Sequence, residues 1–523
     1  MMNRNLLAVS SGLALAIGVV ACNSDRLTAL NKNPNSPEDV PAPTLFTTAS
    51  QTIVSQWLGG GYDLRGAEFL VQHLAEVQYP DEDRYARLTG GSTTGYFDRP
   101  YVNELEDLQK VIAKGLAAKQ AGLYGPALAL RTWGFGYLTD SWGDVPYFDA
   151  LKGDSVGGSL GPKYDQQKLI YADFFKVLAQ ASTDMASPSA AGSLGSGDPI
   201  YNGDLGKWQK FANSLRARFA LRLINVDPAT ASAELQAALA APGGLITSNA
   251  DNAILTWPGD GVYDNPWADN FKTRDDHRMS IVLMNLMKAN NDPRIPIFAQ
   301  PNQVDGTYTG APNALLAANV TAYLTAASRP GLFIYPGATV YGTYGCCGSS
   351  FPSFMLTAAE VNLILAEAAE RGIGGLTPAQ AAAYYTAGVT ASMQMWGVTD
   401  AAAIASYLGQ AGVAYAGGTP GLIQIADQKY ITLFTDGGQA WAEWRRTCQP
   451  ATIQPGPAAL ASNIPRRLEY SITEVSVNGA NVNAAIADQG PDKFESRMYW
   501  DTKPQNSPTW FAACGIRGQA PAP

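Results

Sequence analysis

Apolar residues recur every three or four positions along most of this chain, and that spacing predicts a mainly α-helical protein. A helical pattern opens near Pro43 and runs to about Trp57. Others span roughly Leu64 to Gln78, Phe97 to Ala121 and Tyr124 to Asp140. In the last of these, Leu128, Ala129, Thr132, Phe135 and Leu138 fall on one face. Gln166 to Met185 and Leu205 to Asn225 follow, the latter with an apolar face opened by Trp208, Phe211 and Leu215. The clearest helical hairpin lies at 357–397. Thr357-Ala358-Ala359-Glu360 predicts a capping box, Gly372 to Leu376 a turn, and Thr377-Pro378-Ala379-Gln380 a second start with Pro in its first turn. A further pair is expected over Gly421–Phe434 and Gln439–Arg446. Antiparallel pairs of this size suggest tetratricopeptide-like units, although no exact period marks a regular solenoid.

Two regions depart from the pattern. About residues 251–355, and the tail from Pro450, are rich in Gly, Pro, Asn and Tyr, and read as loops carried by the helical scaffold. The start of the chain is different again. Arg4, an apolar run from Leu6 to Val20, and Val19-Val20-Ala21-Cys22 read as a lipoprotein signal peptide ending in a lipobox. The run is too short for a stable membrane span. On this reading residues 1–21 are removed, Cys22 carries acyl chains, and residues 22–45 form a Pro- and Asn-rich tether to a single domain over 46–523. Asn23 rather than Asp after the cysteine favours the outer membrane.

A hydrophobic fraction of 46% supports a sizeable core, and a net charge of −9 without a Lys/Arg cluster argues against nucleic acid as a partner. Few charges beside many Gly, Tyr and Trp suit shaped loops with aromatic faces for sugars or peptide side chains. Setting Cys22 aside, Cys346, Cys347, Cys448 and Cys514 remain for an oxidising compartment. The adjacent pair would form a vicinal disulfide or pair separately with Cys448 and Cys514. His73 and His277 stand at no metal-ligand spacing, so no metal or cofactor is expected. Asp81 and Asp83 offer at most a minimal set for a structural Ca²⁺. Gly157-Gly158-Ser159-Leu160-Gly161 matches a nucleophile-elbow pattern but lies in a Gly-rich loop with no strand before it.

The ordered motifs carry a resemblance. Leu30-Asn31-Lys32-Asn33-Pro34-Asn35, Trp133 to Tyr147 (with Trp142-Gly143-Asp144-Val145-Pro146), Lys207 to Arg216, Asp292-Pro293-Arg294, Ala359-Glu360-Val361, Trp441 to Arg446, and Ile464-Pro465-Arg466-Arg467 follow one another as in one family. The chain resembles the SusD/RagB outer-membrane nutrient-binding lipoproteins from the lipobox to about Asp501. The resemblance implies four tetratricopeptide-like helix pairs supporting an irregular half, with no common catalytic residues. It implies a SusC-like TonB-dependent β-barrel transporter as partner, with this protein as its lid. It also implies capture of an oligosaccharide or peptide at the cell surface.

The motif residues themselves read as structural. Trp441 and Trp444 share a buried face, and Glu443, Arg445 and Arg446 pair or cap a helix end. Ligand contacts are expected instead on the loops: Tyr79, Arg84, Tyr85 and Tyr96, then Trp257, Tyr263, Asn265 and Trp267, then Tyr341 and Tyr344. Rings would stack on sugars, while Asn265 and Arg84 would bond hydroxyls or carboxylates. The competing readings are a lipid-anchored glycosidase and a helical scaffold for protein partners.

Overall fold

Helix caps written into the sequence start several of the long elements. In the computed structural model, which describes residues 39–153, 158–187, 190–335, 348–502, 514, 515 and 517, the principal helices are α1 (Ala42–Trp57), α2 (Gly90–Val102), α3 (Glu104–Ala117), α4 (Ala121–Trp142), α5 (Gln167–Ala186), α6 (Leu205–Arg222), α7 (Pro228–Ala240), α8 (Ala358–Glu370), α9 (Pro378–Met395), α10 (Gly418–Thr432) and α11 (Gly437–Thr447). Asp204, Asp227, Thr357 and Asp436 each accept a backbone N–H in the first turn of α6, α7, α8 and α11. Thr377 and Gln380 form a full capping box at α9. At α8 only half of the expected box forms. Thr357 accepts the Glu360 N–H, but the Glu360 carboxylate turns inward to Arg218.

Consecutive helices pair as α3 with α4, α5 with α6, α8 with α9, and α10 with α11. The pairs stack through α4 on α5, α6 on α8 and α8 on α10. This is the expected mainly α architecture of four helical hairpins. Helix α1 packs across α3 and α4 and buries Phe46, Ile53, Val54 and Trp57. From Ala42 onward the chain forms one compact unit. Every tryptophan among the described residues is buried, so most of the aromatic surplus belongs to the core rather than to a surface. No described helix is long and apolar enough to cross a membrane.

Three two-stranded antiparallel ribbons tie the loops to the helices. They are β1 (Leu74–Glu76) with β5 (His277–Met279), β2 (Val145–Pro146) with β3 (Tyr164–Asp165), and β4 (Ala253–Leu255) with β6 (Ser353–Leu356). The first corrects an expectation. The stretch Leu64–Gln78 is not one helix: a π-helix, Gly60–Ala67, and a single turn, Glu68–Leu70, give way to β1. Gln72 adopts a left-handed φ of 58°, which ends the helix, and Leu74 then pairs opposite Met279 from a distant loop. The stretch Phe97–Ala121 is also divided. Pro100 withdraws an N–H from the α2 ladder, which ends at Val102, and α3 starts after Asn103. The tail from Pro450 contains two short helices, Ile472–Val477 and Gly479–Gln489, that were read as loop.

The motif segments from Trp133 onward lie inside the scaffold, as expected, while Leu30 to Asn35 falls outside the described residues. Gly143, at φ +84°, ends α4, and an added Cβ would meet Gln489 at 2.1 Å. Trp441 and Trp444 are buried on α11. Arg446 forks onto Glu367 of α8 at 2.6 Å and also reaches Glu443, which accepts Lys429 at 2.6 Å. Arg445 lies 3.6 Å from the centroid of the Trp441 ring. Asp292 and Arg294 form a buried fork of their own. Cys448 and Cys514 form a disulfide, so neither is available to Cys346 or Cys347 and the separate-pairing alternative is excluded. Cys346, Cys347, Tyr341, Tyr344, Cys22 and the 1–21 segment lie outside the described residues.

Candidate functional site: a trough along the first helix

Three adjoining concavities follow α1 and the π-helix. The widest, about 400 Å³, lies between Thr48, Gln51, Thr52 and Ser55 of α1 and the loop bearing Trp257, Val262, Tyr263 and Asp264. The second, about 220 Å³, shares Thr52 and Ser55 with it and adds Gln56, Gly60, Gly61, Tyr62, Tyr96, Arg99 and Glu104. The third, about 180 Å³, shares Gly61, Tyr62 and Tyr96 with the second. It ends among Arg65, Arg87, Ser92 and the apolar side chains of Leu70, Leu88, Trp441 and Leu468. The three share wall residues and lie side by side in a row, called the trough below.

Local sequence explains its shape. Ser55 and Gly59 meet so closely that a Cβ on Gly59 would lie 1.9 Å from the Ser55 carbonyl oxygen. The chain therefore leaves α1 at a glycine and widens into the π-helix, where the Leu64 N–H reaches back five residues to the Gly59 carbonyl at 3.1 Å. Tyr96 of α2 lies directly on Gly61, where a Cβ would stand 2.9 Å from its ring. The π-helix is pinned from behind by buried acids. Asp63 accepts the Gly437 N–H at 2.7 Å, and Glu68 bonds His73 at 2.8 Å and the Thr435 N–H at 3.1 Å. Burial raises both carboxyls well above the usual range, with Asp436 adding to both and Glu68 to Asp63, and lowers His73 to about 3.

The residues singled out from the sequence fall into three groups. Tyr96, Trp257 and Tyr263 line the trough. Tyr263 is exposed, whereas Trp257 is buried with its indole N–H donated to Ser353 Oγ at 2.9 Å. Tyr79 is exposed on the neighbouring loop under the Arg274 guanidinium, 4.7 Å from its ring centroid. The others are engaged in structure. Tyr85 is buried and Trp267 packs edge-on against Phe434. Asn265 accepts two N–H groups at the start of the helix Pro266–Phe271 and donates to the Phe351 carbonyl at 2.8 Å. Arg84 donates to the Ala458 carbonyl at 2.7 Å and pairs with Asp81.

Asp81 faces solvent, and Asp83 is buried with its oxygens accepting from Asn313, Ala314 and Glu76. Sequence reasoning passed over Arg65, Arg87, Gln51 and Gln56. The Gly59-Gly60-Gly61 run after a helix, and the polar spacing of Thr48, Thr52 and Ser55 on α1, were the available signals.

One set of metal-ligand residue types does converge beside the trough. Glu76, Asp276 and His277 bring their donor atoms within 4.8 Å of one another. The cluster is already neutralised: Asp276 accepts from both Arg274 and His277, and Arg274 lies 3.9 Å from Glu76. It fastens β1 to β5 and sets the Tyr79 loop, because Glu76 Oε1 accepts the N–H groups of Val77, Gln78 and Tyr79. Ser159 accepts the Gly161 N–H in an open loop without a preceding strand.

Stacked helical hairpins thus carry a row of polar and aromatic concavities along the first helix. Over residues 34–471 the chain matches the SusD-like family described as "Starch-binding associating with outer membrane", and it belongs to that family. No curated protein matches the sequence. Among solved structures, one titled a chitin-binding protein is 25% identical with a TM-score of 0.74, the match covering 88% of this chain and 100% of that one. A chitin-binding SusD homolog from Flavobacterium johnsoniae is 24% identical with a TM-score of 0.73, covering 89% and 98%. A SusD homolog from Bacteroides fragilis is 25% identical with a TM-score of 0.73, covering 89% and 100%.

Proposed function

We propose that this protein captures an oligosaccharide in the trough along α1 and delivers it to a SusC-like TonB-dependent transporter in the outer membrane. The single observation that carries the reading is the row of three neighbouring concavities along α1 and the π-helix. Three concavities of about 400, 220 and 180 Å³ sharing walls offer room for several sugar units in a row. Tyr263 and Tyr96 supply faces for stacking, and Thr48, Gln51, Thr52 and Gln56 supply hydroxyls and amides for hydrogen bonds to sugar hydroxyls. Family membership supports the import role, and the two chitin-binding relatives support a saccharide over a peptide. Acyl chains on Cys22 would hold the domain at the membrane through the 22–45 tether, and a Cys22→Ser variant would then leave the membrane fraction.

The test is titration calorimetry of the mature domain against a panel of neutral and acidic oligosaccharides, with Tyr96→Ala and Tyr263→Ala measured beside the parent. Binding by at least one saccharide, weakened tenfold or more by each variant, is the expected result. A saccharide that binds equally well to both variants would move the site off the trough. Isolation from native outer membranes in mild detergent checks the partner: a stoichiometric β-barrel is expected, and its absence across detergents would refute the delivery role.

A further inference from the structure

The 180 Å³ end of the trough differs from the rest in charge and in depth. Its lining holds two guanidiniums, Arg65 and Arg87, and no carboxylate. Its floor is apolar and buried: Leu70, Leu88, Trp441 and Leu468 are all under one-tenth exposed. Tyr96 closes one side, held there by the missing Cβ of Gly61. At about 180 Å³ this end is on the scale of a single sugar ring.

The guanidiniums are under-neutralised where they face the cavity. Among the described residues, Arg65 forks onto Glu82, and Arg87 meets the same carboxylate at 3.5 Å. Arg274 lies 3.6 Å from that carboxylate as well, with Asp276 as its own partner. One glutamate thus serves two cavity-lining cations. The Arg87 side chain is 55% exposed and lines the cavity. The Tyr96 phenol senses these charges: burial raises it, Arg65 and Arg87 act to lower it, Glu82 acts with burial, and it stays above its usual value.

Building on the reading of the trough as a saccharide site, we infer that its inner end is a carboxylate subsite, which seats one hexuronic acid residue of an acidic oligosaccharide. The pyranose ring rests on the apolar floor beside Tyr96, and its carboxylate takes the charge-assisted bonds of Arg87 and Arg65. A carboxylate fits this space better than a sulfate ester. It replaces the hydroxymethyl group of a neutral hexose with almost no added volume, whereas a sulfate adds a tetrahedral group to a cavity sized for the ring alone. Guanidinium and carboxylate also match as planar forks.

The test pairs each acid with its own neutral form. Oligomers of galacturonate, glucuronate, and mannuronate or guluronate are titrated into the mature domain, each beside its methyl ester. Sulfated galactose oligomers and neutral chito- and malto-oligosaccharides complete the panel. At least one uronate oligomer should bind ten times more tightly than its ester, and raising NaCl from 50 to 500 mM should erase most of that difference. Arg87→Gln, at an exposed position where the fold tolerates change, should bring acid and ester to within twofold of each other.

An ester that binds as well as its acid overturns the subsite, and so does an acid preference that survives Arg87→Gln. Sulfated oligomers binding where no uronate does would also overturn it. Neutral saccharides that bind in a Tyr96-dependent way, with no gain from charge, would leave the trough reading intact and reject only this inference. A panel in which no saccharide binds would reject both.

Discussion

Asp427 gives the sharpest test of how burial governs this protein's stability. It sits on α10 with one carboxylate oxygen buried and without a hydrogen-bond partner, and burial alone raises its carboxyl from 3.8 to about 7. A raised native pKa means that the folded state keeps a proton which the unfolded state has already released. Between about pH 4 and pH 7 the folded state is therefore penalised as pH rises, by up to about 1.4 kcal/mol per pH unit, and the penalty levels off above pH 7. The whole gap converts to about 4 kcal/mol. The side chain is partly exposed, and water screening there reduces the expected value to about 2 kcal/mol. Asp427→Asn removes the charge while keeping the shape. In urea unfolding the variant and the parent should agree at about pH 3, below both values of the carboxyl, and the variant should be more stable by about 2 kcal/mol at pH 8. Other buried acids titrate in the same range, but they are common to both proteins and cancel in the difference. A stability difference of the same size at both pH values would refute the argument, as would a parent more stable at pH 8.

Glu367 shows the opposite sign. Burial would raise its carboxyl, but Arg446, Arg371 and Lys429 overcome that and hold it at about 2, so its contribution is present above about pH 4.5 and lost as pH falls toward 2. Glu367→Gln leaves Arg446 half-paired in the core and should cost about 3–5 kcal/mol at pH 7, read from the urea midpoint. The Cys448–Cys514 bridge spans 66 residues, and chain entropy assigns such a loop about 4 kcal/mol; Cys514→Ser should lower the thermal midpoint, with reductant then having no further effect through this bridge. Gly61→Ala places a methyl 2.9 Å from the Tyr96 ring, and the ring end yields more easily than the backbone, so the variant should fold and lose saccharide affinity. Unchanged affinity with an unchanged thermal midpoint would show that Tyr96 does not form the wall.

The helical scaffold was legible because its signals are local. Asp204, Thr357, Thr377 and Asp436 cap helices whose apolar faces recur at helical spacing, and short turns make neighbouring helices antiparallel. The misread segments obey distant partners. Leu74-Ala75-Glu76 carries no strand alternation of its own and becomes a strand because His277-Arg278-Met279, two hundred residues away, pairs with it. The site shows the same division. Tyr263 and Tyr96, which line the trough, were singled out by residue type alone, but so were Tyr85 and Trp267, because an aromatic in a loop looks the same whether it faces solvent or Phe434.

The arginines at the inner end were missed for a deeper reason. Arg65 and Arg87 become neighbours only because the π-helix turns Arg65 toward the segment that carries Glu82 and Arg87, and a π-turn is an irregularity that no helical period announces. Its one sequence trace is Gly59-Gly60-Gly61, three residues whose missing side chains admit Ser55 and Tyr96. Glycines that break a strong helical pattern beside polar α1 positions are thus where this fold opens from scaffold into site. A valine at Gly61 would press its branched side chain into the Tyr96 ring that both the second and third concavities use as wall, and it should cost more saccharide affinity than the alanine.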